Sequence, residues 1–274
     1  MFVMAVAGTM LVSPLPGAPF AEAVMHYDPG VGSVGSLNNP ASALGEPSRI
    51  TSGQYGGPVD PFNPPFLSSQ IVSLGAGGSL TVRFSEPILN RPENPFGLDF
   101  IVFGNAGFVI TNDFDPGTFM FVGTPATDGS LFGANSGSTR VSVSEDGVQF
   151  FTLDPARAPG VDQLFPTDGL GDFQRPVNPA LSASRFAGAT LEDIRALYGG
   201  AAGGAGFDLA WALNDQGQSA GLDRASYVRI DVLSDKAEID GIVSVPEPPV
   251  WSLAALATVG AAVGAVVGGG RRRN

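Results

Sequence analysis

Apolar and polar residues alternate through much of the middle of the chain, and this alternation predicts short β-strands. The pattern is clearest in segments 79–84 and 139–144, where every second residue is Leu, Val or Phe. Side chains two residues apart lie on the same face of a strand, so each segment has one apolar and one polar face. Segment 98–103 is apolar on both faces apart from Asp99, as expected of a central strand covered on both sides.

Turn residues predict how these strands are joined. Asp146-Gly147 follows segment 139–144 and predicts a tight hairpin, with segment 148–153 as the returning strand. Gly75 to Gly78 predicts a turn between strands at 70–74 and 79–84.

One segment follows a helical period instead. Thr190 is a candidate N-cap, Asp193 completes a capping-box arrangement with it, and Gly199-Gly200 ends the segment. Leu191, Ile194, Leu197 and Tyr198 form its apolar stripe.

Composition supports a turn-rich β protein and excludes several functions. The chain has 274 residues, of which 38 are Gly and 23 are Pro, while only 15% are charged. A net charge of −12 with a single lysine argues against a nucleic-acid partner, because phosphate binding needs clustered cations. The absence of cysteine excludes disulfides and thiolate chemistry. His26 is the only histidine and lies in a loop-rich segment, so we expect neither a catalytic triad nor a histidine metal site.

These patterns predict a mainly β fold, a jelly-roll-type β-sandwich with one short helix over residues 24–244. The predicted domain is flanked by a signal peptide and a C-terminal transmembrane helix. Residues 1–23 contain an apolar run of signal-peptide length, and Ala21 and Ala23 suit cleavage after Ala23, although no basic residue precedes the run.

The tail, residues 245–274, has three parts in a fixed order. Pro246, Glu247 and Pro248 stand in a segment that cannot enter a helix interior. Residues 250–270 carry no charge and are long enough to cross a bilayer at about 1.5 Å per residue. Arg271, Arg272 and Arg273 follow and should remain on the cytoplasmic side, which places the domain outside. Gly260, Gly264 and Gly268 recur every four residues and would let another helix approach closely. The alternative is that this spacing arises by chance in a segment rich in small residues.

This tail resembles the PEP-CTERM sorting signal of exported bacterial proteins. The resemblance implies that an exosortase, a membrane protease, recognises Pro246, Glu247 and Pro248 and removes the helix after transient anchoring in the inner membrane. The mature protein would then reach the cell surface or the extracellular matrix. An ordinary single-pass tail anchor is the alternative.

A second resemblance covers most of residues 27–245. Six motifs, in order, resemble bacterial cell-surface domains of the galactose-binding-like, discoidin-like jelly roll: 43–47, 72–75 with 78–80, 99–103, 141–147, 207–209, and 227–231 with 239–242. The resemblance implies a binding or matrix module in which a calcium ion often braces the loops and a sugar or surface ligand lies at one end. The chain departs from it in the inserted region 154–206.

Calcium is the cofactor that the acidic loops suggest, because it takes six to eight oxygen ligands from flexible segments. Asn112, Asp113 and Asp115 stand together, and Asp99, Asn105, Asp208 and Asp240 lie in or near the motifs of the resemblance. The alternative is that these residues form turns or satisfy buried backbone donors.

Aromatic residues offer a sugar platform or core packing. The candidates are Phe62, Phe66, Phe114, Phe119, Phe121 and Trp211. Nineteen Phe against four Tyr and two Trp favour the core, since sugar platforms use the polar tips of Tyr and Trp. We therefore expect an exported, non-enzymatic surface or exopolysaccharide-associated protein; the alternative is a carbohydrate-binding module or a glycoside hydrolase on the same sandwich.

Overall fold

A computed structural model describes residues 17–133 and 137–246. The tail helix, the terminal arginines and most of the predicted signal peptide lie outside these residues. Among the described residues, no helix combines the length and the apolar character that a bilayer crossing requires.

The described part of the chain is mainly β, with a single α-helix. Its strands are β1 (Ala23–Asp28), β2 (Ile50–Thr51), β3 (Gly57–Pro58), β4 (Val72–Gly75), β5 (Ser79–Leu89), β6 (Phe100–Gly104), β7 (Gly107–Phe108), β8 (Phe114–Asp115), β9 (Met120–Phe121), β10 (Ala126–Thr127), β11 (Leu131–Phe132), β12 (Thr139–Ser144), β13 (Phe151–Leu153), β14 (Ala189–Thr190), β15 (Ala205–Phe207), β16 (Ala212–Leu213), β17 (Arg224–Val232) and β18 (Lys236–Ser244). The helix is α1 (Leu191–Tyr198), and short 3-10 turns span Gly35–Leu37, Pro40–Ala43, Pro95–Gly97, Ala183–Phe186 and Leu209–Trp211.

Two antiparallel sheets form a sandwich, which confirms the mainly β part of the predicted architecture. One sheet has the order β1-β5-β17-β12-β13-β16 and the other has the order β15-β6-β18-β4. Apolar side chains from both sheets meet in one buried core, in which Phe100 and Phe207 stack with their ring centroids 5.1 Å apart. The alternating residues of β5, Leu80, Val82 and Phe84, belong to this core.

The chain repeatedly changes sheet, as in a jelly roll. Strands β4 and β5 are consecutive, yet β4 pairs with β18 whereas β5 pairs with β1 and β17. The turn at Gly75 to Gly78 therefore joins the two sheets and does not form a hairpin. Gly75 is needed there because a Cβ would collide with the carbonyl oxygen of Val31.

The predicted hairpin after segment 139–144 is present, but its turn is longer than two residues. Strand β12 pairs with β13, with Val143 opposite Phe151. The Asp146 carboxylate accepts hydrogen bonds from the backbone N–H groups of Val148 and Gln149, so these residues belong to the turn and the returning strand begins at Phe151.

Helix α1 follows the sequence prediction closely. Thr190 and Asp193 make both bonds of the capping box, and Gly199 ends the helix in the left-handed conformation at φ 61°. Ile194 and Tyr198 pack with Phe108 and Phe186 in a second apolar cluster, which the inserted region builds beside the sandwich.

Residues 207–213 do not form one continuous strand. Strand β15 ends at Phe207, a 3-10 turn spans Leu209–Trp211, and β16 pairs in the other sheet. The Asp208 carboxylate causes the break by accepting the backbone N–H of Ala210 at 2.7 Å. Trp211 packs against the sandwich core as expected.

Residues before β1 belong to the folded domain. Phe20 forms a β-bridge with Val243, and Ala21 is buried and donates its N–H to the carbonyl oxygen of Ile242. The predicted cleavage after Ala23 would remove both contacts, and it remains a prediction.

Candidate functional site

An open groove of about 690 Å³ lies where the inserted region meets the loops of the sandwich. We call it the helix groove; it is lined by Asp60, Phe62, Asn63, Ile110, Thr124, Pro125, Thr190, Leu191, Glu192 and Arg195. It presents carboxylates, an amide, a guanidinium group and an aromatic ring in one concave surface, which is the mixture that binds small polar ligands.

An ion pair fixes one wall of the helix groove. The guanidinium group of Arg195 donates to both oxygens of Asp168, at 2.7 and 3.0 Å, and the Asp168 carboxylate is buried. This bond raises the pKa of Arg195, so the group stays charged. The carboxylate of Asp60 also lies near Arg195; burial raises its pKa, against the lowering effect of the N–H groups of Phe62 and Asn63.

Asp99 and Asp208, two of the residues predicted to bind calcium, lie close to each other. Asp99 is buried, and its oxygens accept hydrogen bonds from the backbone N–H groups of Arg91 and Leu209 and from the Asn94 amide. Burial raises the pKa of Asp99 to about 6, and the nearby charge of Asp208 acts in the same direction. The carboxylate of Asp99 is thus already used to hold the surrounding loops.

Asn105 and Asp240 occupy separate places. Asn105 lies beside Asp162, whose buried carboxylate accepts the backbone N–H groups of Asn105, Ala106 and Glu238. Burial raises the pKa of Asp162 to about 7. Asp240 accepts two hydrogen bonds from Ser48. Asn105 and Asp240 therefore have partners other than Asp99 and Asp208.

The remaining predicted calcium residues belong to an exposed hairpin. The Asn112 amide accepts the N–H of Ala126 and donates to the carbonyl oxygens of Val122 and Thr124. Asp115 accepts hydrogen bonds at the hairpin tip, which lowers its pKa, and Asp113 is exposed.

The seven residues therefore do not fit around one calcium ion. In residues 17–133 and 137–246 no group of three or more His, Cys, Asp or Glu side chains is placed to hold a metal.

The expectation that the aromatic residues pack in the core is wrong for this hairpin. Phe114 is 51% exposed and Phe119 is 78% exposed. Phe114 meets Phe119 and Phe121 edge to face, with centroids 6.3 and 5.6 Å apart. Phe66 is also exposed, whereas Phe62 is half-buried in the helix groove.

The sandwich ends immediately before the predicted sorting motif. Strand β18 ends at Ser244, and the N–H of Val245 donates to the carbonyl oxygen of Asp99 at 2.8 Å. Val245 is nearly buried and Pro246 is exposed. The other sorting residues, Glu247 and Pro248, lie outside the described residues, as do Gly260, Gly264, Gly268 and Arg271, Arg272 and Arg273.

Sequence reasoning missed Asp60, Asp162 and Asp168. Each has partners far along the chain, such as Arg195 for Asp168, and no local motif marks such contacts. The one local signal was a short acidic residue followed by Pro or Gly, in Asp60-Pro61 and Asp168-Gly169, and this also describes an ordinary turn.

Comparisons with known proteins add little. No family model matches the chain, and no curated protein matches it. Among solved structures, the chain is similar to a pectin-binding carbohydrate-binding module, with 10% sequence identity over 85% of this chain and 94% of that chain and a TM-score of 0.29. At this TM-score we draw nothing about function from the similarity.

Proposed function

We propose that the protein is an exported, non-enzymatic surface module that its C-terminal tail delivers and that an exosortase-type protease processes. Supporting this proposal from the sequence are the Pro-Glu-Pro segment, the uncharged stretch of residues 250–270 and the terminal arginines, in that order. A calcium ion is not part of this proposal.

The observation that carries the proposal is the position at which the sandwich closes. The last hydrogen bond of the described chain joins Val245 to Asp99, and the first residue of the motif, Pro246, is exposed. Strand β18 ends at Ser244, so the described strands of the sandwich are complete before the motif begins.

Cell fractionation tests this function. A chain with an epitope tag inserted after Gly217, in an exposed turn, is followed in cells that contain an exosortase and in cells that lack it. We expect a shorter tagged product outside the cytoplasm only when the protease is present. Replacing Glu247 by Ala should leave the longer, membrane-bound form. A tag found only in the cytoplasm would refute the proposal.

A second candidate function is carbohydrate binding in the helix groove. The carboxylates of Asp60 and Glu192 can accept hydrogen bonds from sugar hydroxyls, Arg195 and Asn63 can donate, and the ring of Phe62 can cover an apolar sugar face. The net charge of −12 favours neutral over anionic polysaccharides.

Calorimetric titration with neutral and acidic oligosaccharides tests this second function. The variant Glu192→Gln removes an exposed groove carboxylate, and Glu86→Gln serves as the control on β5, away from the groove. We expect binding of a neutral oligosaccharide to weaken in the first variant only. Equal binding by both variants, or binding of none of the oligosaccharides, would rule out this use of the groove.

A further inference from the structure

A second groove, of about 520 Å³, begins at the point where the chain leaves the sandwich. We call it the tail groove. Pro246 and Val245 form part of its lining, together with Phe96, Arg175 and Leu197. The last described residue, Pro246, therefore borders this groove.

The walls of the tail groove carry apolar surface without a partner in the described structure. Phe96 is 54% exposed and holds a φ of 61°, a left-handed conformation that is uncommon for a residue with a side chain. Hydrogen bonds from the backbone N–H of Gly97 to Asn94 and of Leu98 to Pro95 fix this turn. An exposed aromatic ring on a fixed turn suits an apolar partner such as proline.

Two arginines lie at the same exit. The guanidinium group of Arg175 borders the tail groove and makes no ion pair within residues 17–133 and 137–246. The backbone N–H of Arg91 donates to the side chain of Asp99, whose carbonyl oxygen accepts the N–H of Val245. Glu93 and Asp172 also border the groove, so an incoming carboxylate is attracted only on the arginine side.

We propose that the tail groove receives the chain's own Pro-Glu-Pro-Pro segment, residues 246–249, with the Glu247 carboxylate held by Arg91 and Arg175. Three residues beyond Pro246 can reach at most about 11 Å, so the whole segment starts and ends within reach of the groove that Pro246 lines. The prolines meet the apolar wall at Phe96 and Leu197. Docking holds the recognition motif against the domain, so that processing requires its release.

The absence of cysteine makes a disulfide test clean. In the full chain in detergent, Pro249→Cys is paired either with Gln174→Cys, which lies in the groove wall, or with Ala18→Cys as the control. Ala18 is exposed, and the carbonyl oxygen of its neighbour Pro19 accepts a hydrogen bond from Ser244, so it is also close to the exit. A disulfide needs Cα atoms within about 7 Å. Tethering raises the effective concentration for both pairs, so only a difference between their rates reports docking.

We expect the groove pair to oxidise about tenfold faster than the control pair. The double reversal Arg91→Glu with Arg175→Glu should abolish that advantage, and adding Glu247→Arg should restore it. Restoration also shows that the reversed chain is folded. Equal rates for the two pairs, or an advantage that survives charge reversal, would overturn the proposal.

This inference concerns the same tail as the proposed function, but the two can fail separately. Cross-linking is measured on purified protein, whereas delivery and processing are measured in cells.

Discussion

Replacing Asp240 by Asn should remove a buried ionisable group while its hydrogen bonds remain. Asp240 is 2% exposed and accepts the N–H of Ser48 at 2.8 Å and its hydroxyl at 2.7 Å. An Asn carbonyl oxygen can accept the same N–H, and its NH₂ can donate to the hydroxyl oxygen because the hydroxyl proton can rotate away. The substitution therefore changes charge and little else.

The magnitude follows from the pKa of Asp240, which burial raises from 3.8 to about 7. The unfolded chain ionises at the lower value, so the stabilisation is fully present below pH 3.8 and is lost as the pH rises through 7. Raising the pH from 5.5 to 7.5 lowers the free energy of unfolding by about 2 kcal/mol through this group alone.

Two further carboxyls have large shifts in the same direction. Burial raises the pKa of Asp162 to about 7 and that of Asp99 to about 6. They add about 2 and about 1 kcal/mol over the same interval, so the native chain should melt roughly 10 to 20 °C lower at pH 7.5 than at pH 5.5. The exposed carboxyls whose pKa is lowered, such as Asp146, change stability only below about pH 4.

Urea unfolding followed by circular dichroism at both pH values measures the effect. The difference in free energy of unfolding between pH 5.5 and 7.5 should be smaller in Asp240→Asn by about 2 kcal/mol than in the native chain. Asp215→Asn, in an exposed turn, is the matched control and should leave the difference unchanged. An Asp240→Asn chain with the native pH difference would refute burial as the cause.

Three further changes test the fold. Phe207→Ala removes the ring stacked on Phe100 in the core and should cost about 3–5 kcal/mol in urea unfolding; a loss below about 1 kcal/mol would contradict the packing. Thr190→Ala removes the helix N-cap and should cost about 1 kcal/mol, whereas an unchanged stability would mean that the cap is not formed in solution. A chain that starts at Val24 lacks buried Ala21 and should melt several degrees below one that starts at residue 17; equal melting temperatures would make cleavage after Ala23 compatible with this fold.

The parts of the fold that sequence could predict are those with a local physical signature. The alternation in β5 fixes which side chains enter the core, because residues two apart share a face. Thr190, Asp193 and Gly199 mark the helix ends because capping groups act within a few residues of one another. Such signals do not depend on distant parts of the chain.

The sheet assignment and the buried carboxyls could not be predicted in this way. Gly75 to Gly78 has the composition of a hairpin turn, and only the pairing of β4 with the distant β18 shows that it joins two sheets. Asp162 binds N–H groups that are 56 to 76 residues away in sequence. The seven predicted calcium residues share an acidic or amide character, but Asp240 lies in strand β18, whereas Asn112, Asp113 and Asp115 lie in one exposed hairpin.

The inserted region carries both grooves, and this is where the chain departs from the resemblance seen in its sequence. Glu192 and Arg195 on helix α1 line the helix groove, while Arg175 and Leu197 line the tail groove. Leu191 and Glu192 lie at the start of the helix and line the helix groove, whereas Leu197 and Tyr198 lie at its end and line the tail groove. One short helix therefore borders both the helix groove and the tail groove.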